Sequence, residues 1–184
     1  MVVATADGVS FESIGLGLKS HNIPVLPPTK DNTLELADRD GAIDFGSTYG
    51  PRTFNLECIV MADDSTIDYH NRVAQVAALF NIRKGDIVFT FSDRPGKRYR
   101  GRYAGTMDIT KIIFDGELMI PITMAENPFP ESEEKILETT ITISPEVFFV
   151  SSDGDEKSEP VITLTNIGSN SIRNFKLTNE YFLN

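Results

Sequence analysis

The chain has 184 residues, 40% hydrophobic and 24% charged, with 27 acidic against 17 basic side chains and a net charge of −10. That length supports one good core, or one domain plus part of a second, and the acidic balance runs against nucleic-acid binding, whose footprint is basic. No apolar run approaches the roughly 20 residues that span a bilayer, the opening residues predict no leader, and one cysteine, Cys58, excludes an intrachain disulfide and fits a reducing compartment.

Residues 9–20 place Ile14, Leu16 and Leu18 at period two, which predicts a short strand weakened by Gly15 and Gly17. Pro24, Pro27 and Pro28 then exclude a helix or a central strand. Residues 33–37 alternate again, with Leu34 and Leu36 on one face. Residues 38–53 read as a turn-rich connector between strand-like runs. Asp40-Gly41 is its strongest turn signal, Phe45 its aromatic anchor, expected to be buried, and Arg39 and Arg52 are fork-shaped cations at its two ends. The bland reading is a sheet connector. The functional one is a subunit-contact loop in which both arginines reach carboxylates.

The next run, 53–61, sets Phe54, Leu56, Cys58 and Val60 on one face and Asn55 and Glu57 on the other, the pattern of a half-buried strand. A helix is predicted over 65–80. Ser65 suits its N-cap, Asp68 its first turn, and Tyr69, Val73, Val76, Ala77 and Phe80 form one apolar stripe, closed by Arg83, Lys84 and Gly85. Ile87–Phe91 reads as a strand and 92–96 as a turn. A long strand follows over 97–110, with Tyr99, Gly101 and Tyr103 opposite Arg98, Arg100 and Arg102. Asp115-Gly116 predicts a hairpin turn that folds 109–114 back on 117–123, and Pro121 predicts an edge or bulge. That long hairpin, from about 97 to 123, is the expected arm for gripping another subunit. The basic window 97–102 is either a solvated outer face or a positive face meeting an acidic partner surface.

Pro and acidic residues at 127–135 read as a linker between a domain over 1–126 and a β-rich region over 136–184. Strands are expected within 136–150 and at 161–164 and 172–177. The fold class is therefore mostly β: a sandwich-like domain with one packed helix and a long β-hairpin, then a β-rich extension or partial second β-domain. No nucleophile elbow, P-loop, dinucleotide or zincin pattern is present. His21 and His70 lack ligand partners at metal spacing, Asp153-Gly154-Asp155-Glu156 lacks the rest of a calcium loop, and Cys58 reads as a small buried hydrophobe. No catalytic residue, metal or cofactor is expected.

Several short patterns stand in a telling order: Phe11-x-Ser13-Ile14-Gly15-Leu16, then Arg39-Asp40-Gly41 and Asp44-Phe45-Gly46, then Arg52 ahead of a strand. After the predicted helix comes Val88-x-x-Phe91-x-Asp93-x-Pro95-x-x-x-Tyr99. Across residues 9 to about 126 this resembles the distal tail proteins of long-tailed bacteriophages. The resemblance implies a β-sandwich with one helix and a projecting hairpin. It implies a structural virion protein, made in the host cytoplasm, that forms a six-membered ring between tail tube and tail tip or fibre, with DNA passing through unbound. The implied partners are copies of itself, the tail-tube protein and the tail-tip protein. In that family the second domain is often galectin-like or carbohydrate-binding. The 160–164 run and the strand after it look like the opening of such a domain, which the sequence does not complete. The interface candidates are Arg39, Asp40, Phe45, Arg52, Arg98, Arg100 and Arg102. The alternative is a carbohydrate-binding module for host attachment, and a wall hydrolase is the weakest reading.

Overall fold

The computed structural model describes residues 2–62, 67–112, 115–151, 154 and 160–180. Ser65, Phe114 and the acidic residues Asp153, Asp155 and Glu156 lie outside them. In chain order the elements are β1 (Ala4–Ala6), β2 (Val9–Ser10), a 3-10 turn (Glu12–Ile14), β3 (Leu16–His21), β4 (Thr29–Glu35), β5 (Ala42–Tyr49) and β6 (Arg52–Val60). They continue with α1 (Ile67–Leu79), a second 3-10 turn (Ile82–Lys84), β7 (Ile87–Phe91), β8 (Arg98–Tyr103), β9 (Ile109–Ile112) and β10 (Asp115–Met124). The described residues are mostly β with one α-helix, in keeping with the alternating runs.

The chain forms two compact units, Met1–Thr139 and Thr140–Asn184. In the first, antiparallel strands run in the order β2-β1-β7-β8-β10-β6-β3, with β9 also on β10. An isolated Val2–Leu18 bridge joins the β1 end of this sheet to β3. Period two decides what is buried. Along β6 the odd side, Asn55 and Glu57, faces out, while Phe54, Leu56, Cys58 and Val60 are buried. β7 contributes Ile87, Phe89 and Phe91, and β10 contributes Leu118, Ile120, Ile122 and Met124. The helix closes the core with Tyr69 and Val76, followed by Phe80, which packs edge-on to Phe11 and stacks with Phe89. The stripe differs in one place. Ala77 is exposed, and Leu79 is the partly buried residue beside Val73. Arg83, Lys84 and Gly85 belong to the separate 3-10 turn, whose N-cap Asn81 accepts from the Arg83 amide.

The expected hairpin over 97–123 is not a free arm. β10 pairs with β6 from Gly116–Val60 to Met124–Arg52, so it is an interior strand. The reversal falls between Ile112 and Asp115, which pair with each other, and Asp115-Gly116 lies inside β10. Burial explains the difference. Leu118, Ile120, Ile122 and Met124 all face the core, so β10 lies along β6 inside the sheet rather than projecting. The β8 partner begins only at Ile122–Tyr103, leaving a gap between β9 and β8. Pro121 sits at that gap. Its carbonyl accepts from the Ala104 amide, so the side that lacks an N–H faces the gap and no bond to β6 is lost.

The hairpin that does stand apart is β4–β5, a separate two-stranded sheet. Residues expected to be a connector after Gly41 are its second strand. The reversal lies at 36–41, where Asp38 and Gly41 take positive φ of 63° and 80°.

Residues 128–131 lie within the first unit and contact its strands. Arg98 and Glu131 exchange backbone hydrogen bonds, and Phe129 meets Tyr49 edge-on at 5.2 Å. Within the second unit, no described residue is in a helix or strand, so the strands expected at 136–150, 161–164 and 172–177 are not found there. Those runs alternate in hydropathy, but Ile141, Ile143, Val161 and Ile172 are exposed: without facing partners, alternation has no core to bury.

Candidate functional site

Two surfaces hold most of the candidate contact residues, and each follows from strand alternation. On β4–β5 the register sets Leu34 opposite Ile43, with Phe45 two residues further along, and sets Glu35 opposite Ala42 and Thr33 opposite Asp44. One face is thus apolar and the other acidic. Neither is covered. Leu34, Leu36 and Tyr49 are exposed, and Phe45, expected as a buried anchor, is 66% exposed. The reason is geometric: Phe45 is on a ribbon with no second layer. Arg39 and Asp40 are exposed at the hairpin tip. Local bonds shape the ribbon. Asp44 Oδ1 accepts from the Gly46 amide at 2.8 Å, where Gly46 has φ 87°, and Ser47 donates to Asp31 across the pair at 2.6 Å.

The second surface is the outer face of β8. Tyr99 and Gly101 are buried, so alternation turns Arg98, Arg100 and Arg102 outward. Arg100 Nε lies 3.5 Å from Glu131 Oε1, with both side chains partly exposed. Among the described residues, Arg98 and Arg102 make no side-chain ion pair. Beside them a depression of about 360 Å³ is lined by Thr5, Thr90, Lys97, Arg98 and Glu133 among others.

Arg52 is unlike the other candidates. It is 2% exposed, the one buried charged residue among those described. A terminal nitrogen donates to the Val25 carbonyl at 3.4 Å, while Nε has no partner. Burial pulls its pKa below the usual guanidinium value, Tyr99 opposes, and Arg94 adds to the lowering. Arg94 in turn donates to the Tyr99 hydroxyl at 3.1 Å. The sequence showed an arginine before a strand. That its side chain turns inward follows from register, since Arg52 is even-numbered like Phe54 and Leu56.

Other ionisable groups tie elements together. His21 Nε2 donates to Asp93 Oδ2 at 2.8 Å, joining β3 to the turn after β7, and its ring lies 5.0 Å from Phe91. Cys58 is buried, and burial pushes its thiol pKa up to about 12, away from the nucleophilic range. Among the described residues no three His, Cys, Asp or Glu side chains are grouped to hold a metal ion. An apolar groove of about 270 Å³ lies between α1 and the β8–β9 connection, lined by residues including Val73, Phe80, Tyr103 and Met107.

Residues 9–122 match the family described as the phage tail protein RIFT-related domain. The chain belongs to that family. The phage tail domain also superposes on the crystal structure of the Dit (gp 19.1) protein of phage SPP1, with a TM-score of 0.63 at 18% identity. That match covers 72% of this chain and 53% of the other, so this phage tail protein spans about half the length of that structure. Dit is described as a paradigm of the hub adsorption apparatus in phages infecting Gram-positive bacteria. No curated protein matches. The resemblance to distal tail proteins thus holds in both family and fold.

Proposed function

We propose that this phage tail protein is a non-catalytic ring subunit that joins the tail tube to the tail-tip or fibre apparatus. The observation that carries the reading is the β4–β5 hairpin. A lone two-stranded ribbon is marginal in water, and among the described residues no strand pairs with either edge of this one, while Leu34, Leu36 and Phe45 are exposed. Covering it with a neighbouring copy satisfies backbone and apolar groups together, through strand addition or face packing. Because the hairpin and its receiving surface differ, the contact is head-to-tail, and such contacts close into rings when the rotation permits. Arg39, Asp40 and Phe45 are the hairpin's contact residues, and Arg98, Arg100 and Arg102 are contact residues on the sheet. Arg52 acts from inside, holding the 24–28 segment that leads into the hairpin. A net charge of −10 suits a channel that lets DNA pass without holding it.

The test is mass measurement in solution followed by negative-stain imaging, on the protein alone and with its tail-tube and tail-tip neighbours. Closed rings of several copies, six on the family resemblance, are expected. A chain that stays monomeric in every one of these mixtures overturns the reading.

A further inference from the structure

The ring reading leaves open what receives the hairpin, and charge separates the candidate surfaces. Residues 29–49 carry Asp31, Glu35, Asp38, Asp40 and Asp44 against Lys30 and Arg39. The β8 face presents Arg98, Arg100 and Arg102 in one row, with Lys97 beside them, on a chain that is otherwise acidic. Alternate residues of a strand stand about 6–7 Å apart on one face, so the arginines form a regular cationic ladder. Only Arg100 has a carboxylate partner among the described residues, and that pair, at 3.5 Å, is open to solvent.

We propose that the β8 face binds the acidic hairpin of a second copy of this chain, with Glu35 and Asp40 meeting Arg98 and Arg102. The proposal rests on the ring reading and names the receiving surface for it. Like charges would keep the acidic faces of two copies apart, so this pairing is the attractive one left to two acidic subunits. Glu35 lies on the hairpin's acidic face, so that face turns toward the β8 row and steers the head-to-tail approach, while Leu34, Ile43 and Phe45 point the other way. The Arg→Lys exchange is not neutral here, because the fork geometry of arginine suits carboxylates in pairs.

The experiment reverses charge on each side of the full chain. Glu35→Lys with Asp40→Lys alters the hairpin, and Arg98→Glu with Arg102→Glu alters the sheet. All four side chains face solvent or are partly exposed, and Asp38 and Asp44 are left alone because they shape the turn and the Gly46 bend. Association is followed by light scattering and mass photometry, with thermal melting as the control for folding. Each reversed pair is expected to slow wild-type association about tenfold or more, and the two together to bring it back. Raising salt toward 1 M, which shortens the screening length to about 3 Å, is expected to slow the wild type without any substitution. If the wild type forms rings but the combined variant is no better than either alone, or salt has no effect, the receiving surface is wrong and the ring reading stands. If the sheet variant forms normal rings yet fails to join a tail-tube or tail-tip protein, the β8 face belongs to that partner instead. If the wild type never assembles, the ring reading falls and this pairing with it.

Discussion

Arg98 and Glu131 exchange backbone hydrogen bonds in both directions, each 2.8 Å from nitrogen to oxygen. Glu131 therefore adds a strand position to β8 just where β10 has ended, so a stretch that looks like a linker is bonded into the domain. Phe129 against Tyr49 adds an aromatic contact on the same stretch. Glu131→Pro removes one of the two donors and is expected to cost about 1 kcal/mol, read as a lower urea midpoint with an unchanged slope. An unchanged midpoint would mean the bridge contributes nothing.

Gly101 sits against β10 with no room for a side chain. A Cβ built there would lie 2.9 Å from the Thr123 carbonyl oxygen and 3.0 Å from Ile122 Cγ2. Both neighbours are in a paired interior strand and cannot retreat. Gly101→Ala is expected to destabilise by about 1–3 kcal/mol, measured by denaturant unfolding. A neutral result would show that the two strands part easily.

The helix offers a matched pair of tests. Val76 is 1% exposed and Ala77 is exposed. Val76→Ala should cost about 1–3 kcal/mol through lost burial and a cavity, while Ala77→Ser should stay within about 0.5 kcal/mol. Equal losses at the two positions would contradict the orientation of α1.

Cys58 supplies a pH prediction. Its thiol pKa rises from 9.0 to about 12 on burial. The folded state holds this proton more tightly than the unfolded state, so the stability it contributes is full below pH 9.0 and is lost as pH rises toward 12. Between those limits the wild type should lose stability more steeply than Cys58→Ala. Parallel curves for the two proteins would refute the burial account. At neutral pH the native thiol should resist a maleimide that labels the unfolded chain.

Phe45 separates packing from contact. Exposed as it is, Phe45→Ser should change subunit stability by no more than about 0.5 kcal/mol, whereas self-association should weaken. A loss of several kcal/mol in unfolding would return Phe45 to the role of a core anchor.

The sheet core was readable residue by residue. Phe54, Leu56, Cys58 and Val60, or Ile87, Phe89 and Phe91, alternate strictly, and that period has one interpretation when one face is buried. Tyr99 and Gly101 against the three arginines of β8 followed for the same reason. The candidate contact surface was half legible. Asp40-Gly41 marked a turn and Leu34 with Leu36 marked a strand before it, but Ala42–Tyr49 was not read as the returning strand. With Gly46 bending it and no layer beneath, it shows neither a clean period nor a burial signal.

Local patterning by itself determined the strand-rich class, the single helix and the inward-facing residues, because alternation and the 3.6 period are properties of neighbouring residues. Which hairpin is interior and which stands free was decided only by tertiary structure. β10 is enclosed because β6, distant in sequence, pairs along one edge while β9 and β8 share the other, and β4–β5 is open because no further strand among the described residues pairs with it. Such partners are set by chain topology, and no local window of sequence contains them.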